Sequence, residues 1–120
     1  MLSNTIQLTD GTTPLDYDLI SREGMESIRR ETVVDSSVAG TLIIKNTIDL
    51  NNSTTKNRHL IQLQEKQVDA VTGEVYEGSV HVVVARHKSF TDAELKIMLL
   101  RLADFISTSA DVTDVLRGGN

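Results

Sequence analysis

Hydrophobic and polar side chains alternate along much of the first 88 residues, and a helical period replaces the alternation near residue 90. The stretch IIKNTIDLNN (residues 43–52) shows the first pattern, with Ile44, Ile48 and Leu50 alternating with Lys45 and Thr47. Successive side chains of a strand point to opposite sides. This stretch therefore predicts a strand with one face in a core and a second, polar face whose surroundings have to be identified.

Several strands are predicted from this alternation. Residues 4–20 are interpreted as a β-hairpin around Asp10-Gly11, because both flanking segments alternate. Residues 21–26 are interpreted as an irregular link, although their charged sequence also fits a helical turn. Further strands are predicted at 27–34, 41–50, 59–71 and 74–88, the last two joined by a turn at Thr72-Gly73. The residues placed inward on these last two strands are Ile61, Leu63, Val80, Val82 and Val84.

Two helices complete the chain. Thr91 and Glu94 form the sequence of a capping box, and Phe90 and Leu95 are spaced for a hydrophobic staple, so a helix is predicted at 91–107. A short helix at 110–117 ends near Gly118. Strands first and helices last favour an α+β fold, with helices on one face of an antiparallel sheet.

The first helix has a wider apolar surface than a helix needs to cover its own sheet. A surface helix typically presents a stripe of about 100°, and Ile97 and Leu100 extend this one further. The pattern favours packing against a second subunit, and a two-sided contact within one subunit is the alternative. The predicted dimer contacts are Leu95, Ile97, Met98, Leu100 and Arg101.

The composition narrows the range of possible functions. The 120 residues fit one domain, and the absence of cysteine excludes disulfides and thiolate metal sites. A net charge of −5 disfavours a dedicated, strongly basic nucleic-acid binder. No apolar run is long enough for a transmembrane helix, and the N-terminus lacks the features of a signal peptide, so we expect a soluble protein.

Catalytic and metal-binding patterns are weak. His59, His81 and His87 have no evident carboxylate partners, and Asp16 and Asp18 are more typical of solubilising charges on a hairpin than of an acid–base pair. No nucleophile-elbow, phosphate-loop or zinc-protease motif is present. We expect no enzyme activity, no metal and no cofactor.

Basic residues slightly outnumber acidic residues in the middle of the chain, whereas acidic residues predominate in the first 50 positions. Residues 51–90 contain five bases and four acids, whereas residues 1–50 contain four bases and eight acids. Lys56 and Arg58 are placed in the loop beside the strand that carries Lys45. This favours a local basic region, and an ordinarily charged surface is the alternative.

The order and spacing of these segments resemble a known family. A hairpin opening on NTIQLT is followed by the strands VAGTLIIKNTIDLNN and NRHLIQLQEK. The final strand runs directly into the capped helix, as HVVVARHKSFTDAELKIMLLRLADFIS. Over essentially its whole length, the chain resembles the coat proteins of the small single-stranded RNA bacteriophages, the leviviruses and their relatives.

The resemblance implies an assembly. Two five-stranded sheets join into one ten-stranded sheet in an intertwined homodimer, and the helices of each subunit clasp the partner. Dimers form an icosahedral shell, usually of the T=3 kind, around single-stranded genomic RNA. The resemblance also implies assembly in the bacterial cytoplasm and binding of an RNA hairpin that represses translation of the replicase.

The family pattern assigns the polar sheet face to RNA. Together with the basic loop residues, the predicted RNA contacts are Lys45, Thr47, Lys56, Arg58, Gln62, Gln64, Ser79 and His81. The face also carries Ile43, Leu60 and Val83. Asp49 stands where relatives often have arginine, and a carboxylate repels phosphate, so contact with the genome is expected to be non-specific.

A short loop between the last two strands corresponds to the family's contact between dimers. The predicted contact residues are Val71, Thr72, Gly73 and Glu74. Relatives that hold this loop with disulfides use cysteines that this chain lacks. The functional alternative to a capsid subunit is a non-viral dimeric α+β module that uses its open sheet for a ligand or a peptide.

Overall fold

A computed structural model describes residues 2–32, 38–47, 57–87 and 89–119. The chain divides into two compact units, residues 1–86 and 87–120. The first unit is an antiparallel sheet whose six strands lie in chain order, each paired with the next. The strands are β1 (Thr5–Thr9), β2 (Pro14–Glu23), β3 (Glu26–Glu31), β4 (Thr41–Thr47), β5 (Asn57–Val68) and β6 (Val75–Arg86).

The predicted N-terminal hairpin is confirmed. β1 and β2 are joined by residues 10–13, and the Asp10 carboxylate accepts the backbone N–H groups of Thr12 and Thr13 at 2.8 and 2.7 Å. Gly11 takes the left-handed conformation within this turn. The hydrogen bonds from Thr13 and Thr12 lower the pKa of Asp10 below its ordinary value, because they stabilise the ionised carboxylate.

The predicted irregular link at 21–26 is wrong. β2 continues to Glu23, and a tight turn at Gly24 and Met25 leads into β3. The strand pairing shifts register between Leu19 and Ser21, and this bulge interrupts the alternation on which the prediction relied. The hairpin strands remain part of the main sheet, which therefore has six strands where the family pattern implies five. The predicted α+β class is confirmed.

A buried arginine lies at the centre of the sheet's core face, the face that carries Leu42. Arg29 is 0% exposed and pairs in register with Leu42 of β4 and Leu19 of β2; Tyr17 and Ala39 are also buried. Its guanidinium donates from Nε and Nη2 to the Ser3 carbonyl oxygen, at 3.2 and 2.7 Å, and from Nη1 to Ser27 Oγ at 2.7 Å. Burial, followed by the nearby charge of Arg22, lowers its pKa.

The chain passes close to a neighbouring strand at Gly40, just before β4. The Gly40 N–H donates to Glu31 Oε2 at 3.0 Å. A Cβ at this position would lie 2.9 Å from the Gln64 backbone carbonyl oxygen and 3.4 Å from Glu31 Oε2. A side chain has no room here, which explains the glycine.

The second unit consists of α1 (Asp92–Ser107) and α2 (Ser109–Leu116), so both predicted helices are confirmed. Thr91 caps α1: its hydroxyl accepts the Glu94 N–H at 3.2 Å and donates to Glu94 Oε1 at 3.1 Å. Gly118 follows α2 in the left-handed conformation, as predicted. Within the described ranges, neither helix has the length and apolarity needed to cross a membrane.

Candidate nucleic-acid interface

The polar face of the sheet is assembled from β4, β5 and β6. Directly opposite residues in an antiparallel pair point to the same side. Thr47 pairs with Arg58, and Lys45 pairs with Leu60. Gln62 pairs with His81, and Gln64 pairs with Ser79. We call this side the open face.

Seven of the eight predicted RNA contacts therefore share one face, namely Lys45, Thr47, Arg58, Gln62, Gln64, Ser79 and His81. Lys56 and Asp49 lie outside the described residues. Arg58 belongs to β5, so its predicted position in a loop is wrong. The strand begins two residues earlier than the alternation indicated, and this places Arg58 firmly opposite Thr47.

A shallow depression of about 180 Å³ lies at one end of these strands. It is lined by Lys45, Thr47, Arg58, His59, Leu60 and Val83. Two cationic side chains, a hydroxyl and an apolar floor suit a phosphate with an adjoining base or sugar, because cations supply attraction to phosphate and flat apolar surface accommodates a base. The size suits part of a nucleotide.

Three of the predicted polar residues of the open face, Gln64, Ser79 and His81, already have polar partners. Gln64 donates to Glu77 Oε2 at 2.8 Å and accepts from Thr41 Oγ1 at 3.3 Å. Ser79 Oγ lies 3.2 Å from His81 Nε2. Glu77, absent from the predicted set, adds a negative charge to the β6 part of the face. Lys45, which lies 3.7 Å from Glu26, and Arg58 are the cations of the predicted set within the described residues, so they are the better candidates for anion contact.

Asp16 and Asp18 lie on the same face at its far side, where neighbouring side chains use them structurally. Thr5 Oγ1 donates to Asp18 at 2.7 Å, and Gln7 Nε2 donates to Asp16 at 3.0 Å. Thr32 Oγ1 also donates to Asp18, at 3.3 Å. These contacts across the hairpin account for the two carboxylates without any acid–base chemistry.

The outer edge of β6 is a feature that sequence reasoning did not single out. Among the described strands β6 pairs only with β5, so the other edge of this 12-residue strand faces no described strand. Val80, predicted to face inward, is 65% exposed. The side of the sheet predicted for Val80 is nevertheless correct, because Val80 pairs with Leu63 on the core face. An edge position leaves that part of the face uncovered in a single chain.

The helix α1 is also uncovered. None of its residues, all of which are described, is buried. Of the predicted dimer contacts, Ile97 and Met98 are about half exposed, Leu100 is 69% exposed, Arg101 is exposed and Leu95 is partly buried. The apolar surface also includes four residues that the predicted set omitted: Leu99, Leu102, Phe105 and Ile106.

The β5–β6 loop is a tight, self-supported turn, as predicted. The Asp69 carboxylate accepts the N–H groups of Val71 and Thr72 at 2.8 and 3.1 Å, and these bonds lower its pKa. The Gly73 N–H donates to the Asp69 carbonyl oxygen at 2.9 Å. Val71 is 93% exposed at the tip. Thr72, Gly73 and Glu74 complete the predicted contact segment.

The fold is that of the coat proteins of levi-like bacteriophages, which confirms the resemblance found in the sequence. The chain is similar to the subunit of a virus-like particle of bacteriophage AVE019, with a TM-score of 0.82, 13% identity and coverage of 100% of this chain and 99% of that chain. A virus-like particle of bacteriophage GQ-907 gives a TM-score of 0.74 at 14% identity, covering 98% and 92% of the two chains. The capsid protein of bacteriophage GA gives 0.62 at 12% identity, covering 98% and 95%.

No family model matches the chain, and no curated protein does. Identities of 12–14% over nearly complete chains mean that the likeness lies in the fold rather than in shared residues.

Proposed function

We propose that this chain is a capsid subunit of an RNA bacteriophage, a structural rather than an enzymatic role. The observation that carries the proposal is the pair of surfaces that a single chain leaves uncovered, the β6 edge and the apolar side of α1. Coat proteins with the same fold occur in virus-like particles of bacteriophages AVE019 and GQ-907.

The β6 edge supports a homodimer. A long, apolar strand edge is a template for strand pairing, and proteins that keep such an edge commonly use it. Val75, Tyr76, Val80 and Val83 are each half exposed or more along this strand. Pairing of β6 with β6 of a second copy gives the outward edges of both strands a hydrogen-bonding neighbour. It also joins the two sheets into one, with all six strands of each copy.

The helix α1 supports the same dimer. Its row of half-exposed leucine, isoleucine, methionine and phenylalanine side chains is far more apolar than solvent-facing helices normally are. Packing of this row on the second copy removes the apolar surface from water. Such interfaces resemble a domain core divided between two chains, so we infer that the dimer is obligate.

Assembly beyond the dimer requires a further contact, for which the β5–β6 turn is suited. It is short, held by Asp69 and exposed at Val71. A preordered loop loses little conformational entropy when it meets a neighbour. We propose that this turn mediates contacts between dimers in an icosahedral shell of the T=3 kind.

The open face supports contact with single-stranded RNA inside the shell. Lys45 and Arg58 supply the cations, and Thr47, directly opposite Arg58, supplies a hydroxyl donor. The same face carries Glu26 opposite Lys45, and Glu77 beside Gln64. Mixed charge of this kind supports non-specific phosphate contact more than tight recognition of one hairpin. Replicase repression through such a hairpin would require base-specific contacts in addition to these phosphate contacts.

Expression of the full chain in bacteria tests the proposal. The purified protein is expected to elute from size-exclusion chromatography as particles tens of nanometres wide, with an absorbance ratio at 260 and 280 nm that indicates RNA, and to appear as shells by electron microscopy. A small dimer without RNA under all assembly conditions would refute the capsid function. It would instead favour a dimeric module that binds a ligand on its open sheet.

A further inference from the structure

The most basic part of the open face contains its own competitor for phosphate. Glu26 of β3 lies directly opposite Lys45 of β4 in the strand register. The Lys45 Nζ atom is 3.7 Å from Glu26 Oε2. The side chains are 55% and 41% exposed, respectively, so RNA on the open face can reach both of them.

We propose that Glu26 limits the affinity of the open face for RNA by occupying the ammonium group of Lys45. This inference rests on the proposed function, since it presupposes that RNA meets the open face. It adds a residue that weakens binding: an internal carboxylate, 3.7 Å from the ammonium group, that competes with phosphate for it. The RNA contact is thereby kept weak and readily exchangeable.

The geometry makes the displacement feasible. An exposed lysine–carboxylate pair is weakly stabilising and is screened by salt. A phosphate oxygen offers the same ammonium group an equivalent charged acceptor. Lys45 therefore exchanges one anion for another when RNA binds, and the attraction gained is smaller than that of an unpaired lysine. The displaced carboxylate also stays close to the phosphate and repels it.

Glu26 stands at a boundary in the charge of the open face. On β4, β5 and β6 the described charged residues of this face are Lys45, Arg58, Lys66 and Glu77. On β2 and β3 they are Asp16, Asp18, Glu23, Glu26 and Arg30. Cations thus predominate on one side and carboxylates on the other. Because Glu26 is the carboxylate directly opposite Lys45, the β4 cation at this boundary, its removal extends the basic region.

Binding of a fluorescent single-stranded RNA oligonucleotide of mixed sequence tests this inference, at protein concentrations below those that form particles. The variants are Glu26→Gln, Lys45→Gln and the double variant, each checked for fold by circular dichroism. Glu65→Gln is the matched control, because it removes the same charge from an exposed residue on the core face. Affinities are measured at several salt concentrations.

We expect Glu26→Gln to raise RNA affinity about three- to tenfold and to steepen the salt dependence by up to about one released ion, because Lys45 becomes fully available. Lys45→Gln is expected to lower both the RNA affinity and the steepness of its salt dependence. In the Lys45→Gln background the effect of Glu26→Gln should fall to less than half, and Glu65→Gln should change neither quantity.

Three results would overturn the inference. If Lys45→Gln weakens binding but Glu26→Gln leaves it unchanged, competition by Glu26 is refuted while RNA contact through the open face stands. If Glu26→Gln acts equally with and without Lys45, its effect is one of overall charge. If no variant, including Lys45→Gln, alters RNA binding, the open face does not meet RNA and the proposed function loses that part as well.

Discussion

Arg29 binds the backbone of Ser3, 26 residues earlier in the chain, through two N–H groups of its guanidinium, at 3.2 and 2.7 Å. A third contact to Ser27 Oγ fixes the plane of the group. The side chain is wholly buried, and the partners described for it are neutral. The planar fork of arginine is therefore used here to hold the N-terminal segment against the sheet.

Replacement of Arg29 tests this role. Lysine keeps the charge but lacks the planar fork that brings two N–H groups to one carbonyl oxygen, so Arg29→Lys is expected to lower the free energy of unfolding by about 2 kcal/mol. Urea unfolding at one fixed protein concentration measures the change. The neighbouring Arg30→Lys, at an exposed position, should alter stability by less than about 0.5 kcal/mol. Equal stability of the two variants would contradict the structural role of Arg29.

Gly40 and Gly78 provide a matched pair for a test of backbone packing. A Cβ at Gly40 would lie 2.9 Å from the Gln64 carbonyl oxygen, whereas a Cβ at Gly78 meets nothing within 4 Å. Gly40→Ala is expected to lower the free energy of unfolding by about 1–3 kcal/mol, because backbone has to shift. Gly78→Ala should be neutral or slightly stabilising. Thermal unfolding compares them, and equal melting temperatures would contradict the close approach.

The helix interface is tested at Leu100, which is 69% exposed in one chain. Leu100→Asp places a charge in the proposed dimer interface and is expected to prevent dimer formation, leaving insoluble protein. Val71→Asp makes the same change at the β5–β6 turn. It should permit dimers but impair shells. Analytical ultracentrifugation separates the outcomes, and a soluble, folded Leu100→Asp monomer would argue against an obligate dimer.

Lys45→Glu tests the open face in assembled particles. Reversal of this charge is expected to reduce RNA content or assembly yield, with the dimer still folded, because a cationic phosphate contact is replaced by repulsion. Lys96→Glu, on α1, is the control for net charge. The absorbance ratio of purified particles measures RNA content. Unchanged packaging by Lys45→Glu would remove Lys45 from the binding surface.

The turns that contain Asp10 and Asp69 predict that the stability of the folded protein depends on pH. The folded-state pKa values of Asp10 and Asp69 are lowered, in each case first by backbone N–H donors. Each carboxylate therefore contributes stability that is present above the unfolded pKa and is lost as pH falls through the folded value, below about pH 4. The variants Asp10→Asn and Asp69→Asn keep an acceptor oxygen and do not titrate. Unfolding midpoints between pH 2 and 6 should vary less in these variants than in the parent protein.

The periodicity of the sequence predicted those strands and helices that depend only on residues close together in the chain. The alternation around Ile61 and Leu63 identified β5, and Thr91 with Glu94 marked the start of α1. Both signals come from residues that are only a few positions apart in the sequence. The same reasoning placed the polar residues of β4, β5 and β6 on one face, because parity alone determines the side of a strand.

The remaining features depend on long-range pairing. The bulge between Leu19 and Ser21 obscured the turn at Gly24, and with it the register that brings Glu26 opposite Lys45. Arginine is usually exposed, so no local signal indicated that Arg29 is buried. The open edge of β6 follows from the order of strands in the sheet, which alternation does not encode.

That order has a consequence for how the molecule is made. Each strand pairs with the one synthesised just before it, so the sheet can grow by successive hairpins while the chain emerges from the ribosome. β6 is the last strand to be added, and its free edge is created at the moment the sheet is complete. The helices follow immediately in the chain. The surfaces that we assign to the partner therefore come last in the order of the described elements, and they become available together, after the rest of the sheet.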